Sequence, residues 1–334
     1  MVVQHHGIIL KNTIYCGMQE HKLLHSFESD STKLVCKMPS RLINWQVQFF
    51  GREWDFMDLY HITLFLGVPF LCLLAPFQFT WGALWVAISL YLVSGMGVTI
   101  SYHRNLAHQS FKVPKWLEYS LAYCAVLSLQ GSPLEWVSSH RYHHQFTDKL
   151  RDPHSPTKGF WFSHVNWAFD YHSRFGSYDG QLMKNVGDLE CQLYYRFLHY
   201  TYFLHSVLLG VALYVAGGLP FVVWGMGVRV VVVSQITFSI NSICHTWGKQ
   251  IWDTGDASKN NWLFGLLAFG EGWHNNHHAF EYSARQGLEQ WQIDTSWYVI
   301  KFFQVVGLAT NVKLPTEIQK KRKALAKNSI MKDK

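Results

Sequence analysis

Nine of the 19 histidines in this 334-residue chain fall in three tight clusters and one single position. The clusters are His103-Arg-Asn-Leu-Ala-His108, His140-Arg-Tyr-His143-His144 and His274-Asn-Asn-His277-His278; the single residue is His245. Neutral imidazole is the commonest protein metal ligand, and nine are more than one four- to six-coordinate ion can use. A two-metal centre is the economical reading. His140, His143 and His144 stand at i, i+3 and i+4, which places them on one helical face, and His274, His277 and His278 repeat that spacing. His103 and His108, at i and i+5, do not share a face on a regular helix, so this pair requires a helix end or a distortion.

The remaining histidines (5, 6, 21, 25, 61, 154, 164, 172, 199 and 205) show no comparable spacing and default to non-ligands, with His154 a candidate outer contact because it follows the second cluster closely. The chain has no His-Glu-x-x-His zinc-protease motif. It has a single Glu-x-x-His, Glu271-Gly-Trp-His274, where a carboxylate-bridged di-iron bundle uses a pair. Imidazole suits iron, copper, zinc and nickel, so donor type leaves the metal open. Ligating histidines need groups that orient their outer nitrogens. Asp148, Asp152, Glu271, Asp170 and Asn241 are the candidates, with solvated surface acids as the plain alternative. Asn241 lies one helical turn before His245.

These residues need elements to carry them. No Lys, Arg, Asp or Glu occurs from His61 to Tyr102, and from His199 to Ile243 Arg229 is the only charge. Each stretch accommodates two crossings at ~20 residues per helix. The 15 Trp and 16 Tyr include many near the stretch ends, as an interfacial belt requires. The expected fold is therefore all-α. Four transmembrane helices in two hairpins, at about residues 61–79, 81–100, 199–216 and 221–243, carry a cytosol-facing helical cap with the histidine-rich site. Pro69 and Pro76 can kink the first crossing, and Gly217-Gly218-Leu219-Pro220 turns the second hairpin. Every Lys and Arg except Arg229 falls on the side shared by the chain ends, which makes that side cytoplasmic or stromal. His103 then follows the second crossing and His245 the fourth, and all nine histidines emerge on one face. Trp116–Leu129, Phe160–Phe169 and Leu263–Phe269 are too short to span and are expected as interfacial helices or cap core.

The bulk composition narrows the classes further. The six cysteines form no Cys-x-x-Cys pair, which argues against a disulfide scaffold or zinc ribbon. The net charge of +7 comes from scattered basic residues in a chain that is half apolar, so nucleic acid is a poor partner and anionic head groups or an acidic protein fit better. Residues 1–50 form a polar N-terminal extension without a signal-peptide core. Their acids, Glu20, Glu28 and Asp30, make a weak transit peptide. Residues 51–315 form the membrane domain and 316–334 a basic C-terminal tail.

The order His-x4-His, His-x-x-His-His, His-x-x-His-His, with four crossings at matching spacing, resembles the membrane fatty-acyl desaturase family over about residues 40–315. Ser101–His108, Trp136–Asp148, Arg151-Asp-Pro-His-Ser-Pro156 and Glu271–Phe280 are similar to the plant acyl-lipid and acyl-CoA Δ9-type branch. Val186-Gly-Asp-Leu-Glu190 and Trp224–Arg229 resemble the plastid palmitoyl-galactolipid members. The resemblance implies that His103, His108, His140, His143, His144, His245, His274, His277 and His278 bind two irons, with Asn241 reaching one through a water. It implies insertion of a cis double bond into a long-chain acyl-CoA or acyl-lipid, Δ9 or Δ7 in type, using dioxygen and two electrons. Trp136 is implied to line the acyl tunnel, with plain core packing as the alternative, and Arg141 to meet the head group, with a solvated surface Arg as its alternative.

The chain lacks a His-Pro-Gly-Gly haem signature, so electrons are expected from a separate donor, cytochrome b5 with its reductase or ferredoxin. The endoplasmic reticulum membrane is favoured over the chloroplast membrane. A lipid hydroxylase with similar histidine boxes is the nearest rival, and a membrane haem or metal-transport protein a distant one.

Overall fold

The computed structural model describes residues 47–49, 52–54, 56–169 and 182–332. Asp170, His172 and most of the expected N-terminal extension, including its histidines, lie outside them. A short hairpin, β1 (Val47–Phe49) with β2 (Arg52–Trp54), pairs antiparallel and precedes an otherwise helical chain.

α1 (Phe56–Leu73) contains Pro69 and gives way to a 3-10 turn at Ala75–Gln78. The first apolar helix thus starts and ends several residues before the 61–79 expected. Pro76 at the start of that turn cannot donate to a continuing helix. α2 (Trp81–Met96) starts where Thr80 accepts from the Ala83 amide at 3.0 Å. It does not stop at residue 100. It continues without a break as a π-helical segment, Gly97–Ala107, so that His103 lies inside the helix and not beyond it. Among the described residues, two segments are long and apolar enough to cross a membrane, Trp81–Ala107 and Tyr202–Thr246.

The second of these is two arms. α8 (Tyr202–Val222) breaks at the expected turn, where Gly217 is non-helical and Gly218 takes a left-handed φ of 66° that favours glycine. A π-helical turn at Val223–Val228 then leads into α9 (Arg229–Thr246), and Leu213 of the first arm lies against Gly225 of the second. The outward faces of these helices are apolar: Leu66, Phe70, Leu73, Phe203, Val211 and Val215 are all exposed. Such a surface suits a bilayer and not water. Arg229 is buried, its Nε donating to Gly225 O at 2.8 Å and its Nη1 to Leu127 O at 2.5 Å. Protein carbonyls therefore meet the one charge in that stretch.

Between the apolar hairpins the chain forms α3 (Lys115–Val126) and α4 (Pro133–Phe146). α4 begins at a capping box in which Ser132 and Glu135 satisfy each other's backbone amides. Then come α5 (Phe160–His164), α6 (Gly187–Glu190) and α7 (Leu193–Tyr200). After the second hairpin lie α10 (Trp262–Leu267), α11 (His274–Ala279), α12 (Thr295–Val305) and α13 (Glu317–Lys332). The three short apolar stretches of the sequence are thus α3, α5 with its following 3-10 turn, and α10.

Candidate metal centre

The π-helical segment solves the i, i+5 problem. Its hydrogen bonds skip one residue more than an α-helix, and the His108 amide donates to His103 O at 3.1 Å. That repeat turns the two rings to one side, with centroids 4.9 Å apart. Close approach makes room for the segment: a Cβ on Gly97 would collide with the backbone of Cys124 and Ala125 in α3.

All nine box histidines meet in the interior. Their nitrogens form two groups, His103, His108, His140, His144 and His277 in one and His143, His245, His274 and His278 in the other. Within each group one nitrogen per residue lies within 4.8 Å of the others. The contacts are between Nε2 atoms: His108 to His140 at 2.8 Å, His103 to His277 at 3.1 Å, His144 to His277 at 2.9 Å, His245 to His274 at 2.9 Å and His278 to His274 at 3.1 Å. His154 lies beside His143 with ring centroids 4.3 Å apart and planes tilted by 37°, and Asp152 is 3.6 Å from its Nδ1.

The outer nitrogens explain the inner ones. Nδ1 of His143 donates to Asp152 at 2.9 Å and Nδ1 of His245 to Asp148 Oδ2 at 3.3 Å, and His103 Nδ1 pairs closely with Glu271. Three of the carboxylates anticipated from sequence, Asp148, Asp152 and Glu271, thus lie against the outer nitrogens of histidines. Three further partners were not anticipated: Asp256 on His278 at 2.9 Å, Glu281 on His144 at 3.2 Å, and Gln286, whose Nε2 is 3.4 Å from His277 Nδ1. A histidine that gives its Nδ1 proton to a carboxylate turns a bare lone pair inward.

Charge follows the same plan. Burial pushes His108, His140, His274, His277 and His278 well below the ordinary imidazole pKa, and the neighbouring rings push the same way. Burial also takes His144 down to about 4, against the pull of Glu281. For His143 burial is outweighed by Asp152, and its pKa is raised. Burial would raise Asp152, Asp256 and Glu271, but their histidine partners outweigh it and hold them below the usual carboxylate range. The site is built to keep most of its imidazoles neutral, the form that binds metal.

Two cavities run up to these rings. The larger, about 320 Å³, reaches from Val68 and Pro69 past Trp167 and Phe169 to His140. The smaller, about 70 Å³, continues past His103 and His274 to Tyr91, Leu267 and Phe269. They share Gln130, Trp136, His140, Thr237 and Asn241, and Gln130 Nε2 donates to Thr237 Oγ1 at 3.0 Å at that junction. Trp136 stacks on His140 at 5.0 Å and 22°, so it both lines the passage and backs a histidine. Asn241 faces both cavities, one turn from His245. Arg141, expected at the substrate head group, has all five N–H donors on protein acceptors.

Against known proteins, the family model for fatty acid desaturases matches residues 79–298. A palmitoyl-monogalactosyldiacylglycerol delta-7 desaturase, chloroplastic, of Arabidopsis thaliana is 58% identical over 295 residues, 87% of this chain and 77% of that protein. The chain belongs to the fatty acid desaturase family. This desaturase-family chain is also 55% identical to a delta-9 acyl-lipid desaturase of Arabidopsis thaliana over 83% of its length and 90% of the relative's. An acyl-CoA 5-desaturase of Anemone leveillei is 52% identical, over 90% of this chain and 91% of the relative. Family membership makes the chain an oxidoreductase, and the matched region contains the eight clustered histidines and His245.

Proposed function

We propose that this chain is a multi-pass membrane desaturase that inserts a cis double bond into a long-chain acyl group at a two-iron centre. The observation that carries the reading is the pair of inward-facing Nε2 sets. His274 Nε2 faces both His245 and His278. Those two commit their Nδ1 protons to Asp148 and Asp256, so both present lone pairs, and one proton on His274 satisfies one of them at most. Lone pairs packed at hydrogen-bond distance without donors repel, and a cation among them removes the conflict. The donors fit a metal.

In this reading His103, His108, His140, His144 and His277 hold one iron, and His143, His245, His274 and His278 the other. When bound, the irons supply the dioxygen-reducing chemistry that removes two hydrogens from adjacent acyl carbons. Two acyl hydrogens, two electrons and two protons then reduce dioxygen to two waters. The chain's own residues do the positioning. Asp148, Asp152, Asp256, Glu271 and Glu281 lock the rings by their outer nitrogens. The apolar walls of the two cavities extend an acyl chain past His140 and exclude water, and the Gln130–Thr237 bridge with Trp136 sets where it passes the histidines. α1, Trp81–Ala107 and the two arms of Tyr202–Thr246 make four crossings, with the histidine cap on the cytosolic or stromal face.

The named relatives place double bonds at delta-7, delta-9 and delta-5 in acyl-lipids and acyl-CoA. For this chain we favour a Δ9 or Δ7 type of product, electrons from cytochrome b5 with its reductase or from ferredoxin, and the endoplasmic reticulum membrane with the chloroplast as the alternative. The test is fatty-acid methyl ester profiling of a desaturase-deficient yeast that expresses the chain. A new monoene that disappears with His143→Ala is expected. A gain of one oxygen in place of a loss of two hydrogens would overturn the reading in favour of hydroxylation.

A further inference from the structure

His108 and His140 bring their Nε2 atoms to 2.8 Å, yet among the described residues neither has a carboxylate on its outer nitrogen, unlike His103, His143, His144, His245 and His278. Their orientation comes from the next residue along the chain in both cases. Asp188 accepts from Gln109 Nε2 at 3.1 Å and from the two terminal nitrogens of Arg141 at 2.8 and 2.9 Å. One carboxylate therefore grips the residue after His108 and the residue after His140.

Arg141 extends the grip. Its Nε donates to Ala107 O at 3.2 Å, Nη2 to Leu106 O at 2.7 Å and Nη1 to Asn185 O at 2.6 Å. Leu106 and Ala107 end the π-helical segment, where the last carbonyls lack helical partners. Gln109 then takes a left-handed φ of 49°, a conformation that needs outside support in a residue with a side chain. Asn185 closes the ring by donating to Ser138 O at 3.0 Å, in the helix that carries His140.

We propose that Asp188 and Arg141 form a positioning pair that sets the register between the end of the π-helical segment and α4, and so places His108 opposite His140. The inference rests on the two-iron reading. A guanidinium fork on a carboxylate combines direction with charge, and lysine cannot reproduce it. The Asp188 side chain is 41% exposed, so the ion pair contributes little to overall stability. Its effect falls on one of the two metal groups.

The experiment uses the full chain in lipid nanodiscs, stripped of metal and titrated anaerobically with ⁵⁷Fe(II), read by metal per chain, Mössbauer spectra and melting temperature. Wild type is expected to take two irons. Asp188→Asn is expected to keep one at wild-type affinity and bind the other about 10-fold more weakly or worse, with the melting temperature of the stripped protein unchanged. Arg141→Lys is expected to behave alike, and the double variant no worse than either. Two irons bound by Asp188→Asn with wild-type affinity would overturn the proposal. So would parallel loss of both irons with a lowered melting temperature, the signature of a merely structural pair. Fewer than two irons on wild type would defeat the two-iron reading itself, and this inference with it.

Discussion

Arg104 holds Glu271 Oε1 through Nε and Nη2, at 3.2 and 3.1 Å, and so leaves Oε2 to His103, the residue beside it in the chain. The same guanidinium reaches Asp294 at 2.9 Å, and Asp294 also caps α12. One fully buried arginine thus ties the first histidine cluster, the loop before the third and the start of α12 into a single charged network.

Arg104→Met is expected to destabilise the chain by ~3–5 kcal/mol, because Glu271 and Asp294 would remain buried without their cation. A thermal melt of the purified protein measures this, and a loss under ~1 kcal/mol would show that the network is not what holds the cap.

Gly97→Ala is expected to cost ~1–3 kcal/mol by pushing α3 off the π-helical segment, since backbone and not a flexible side chain stands in the way. Gly67→Ala is the matched control: nothing lies within 4 Å of its Cβ position, and its melting temperature should hold or rise. Equal shifts in the two variants would contradict the packing argument.

Tyr91 lines the far end of the smaller cavity, and its hydroxyl bonds to Leu267 O. Tyr91→Ala opens that end. The products of the yeast assay should shift toward longer acyl chains while activity persists, and an unchanged chain-length profile would mean that the acyl chain does not reach Tyr91.

Removal of metal is expected to lower the melting temperature. An ion that binds the folded state alone stabilises it by ~4 kcal/mol at a thousandfold excess over its dissociation constant. Chelator-treated and iron-reloaded protein, melted side by side, should differ and interconvert. Coincident melts would mean that the histidine groups are stable without an ion.

Much of this site was legible in the sequence because it is local. The spacing of His140, His143 and His144 specifies a face, and the awkward spacing of His103 and His108 specifies a distortion. Gly217-Gly218 announces its own turn. Asp148, Asp152 and Glu271 lie close enough to a cluster to be suspected. Glu281, three residues beyond His278, carries the same signal and was missed, whereas Asp256 sits in irregular chain that only the tertiary fold brings to a ring and Gln286 is an amide and not a carboxylate. Arg104 and Arg141 were hidden differently. A charge inside a polar motif is expected in solvent or on a ligand, and nothing in one sequence says that its partners, Asp294 and Asp188, lie far along the chain. The helix ends also shifted, since the π-helical segment carries α2 through the polar boundary at which an apolar run ends.

That segment is a ruler as well as a support. Removing one residue between Gly97 and His103 would let the backbone relax into an ordinary helix, and each residue of such a helix turns the next by ~100°. The chain would stay helical, apolar and packed, yet the first cluster would point away from the other two. The stretch should accept no change of length, and transplanting its histidines onto a regular helix should fail to rebuild the centre.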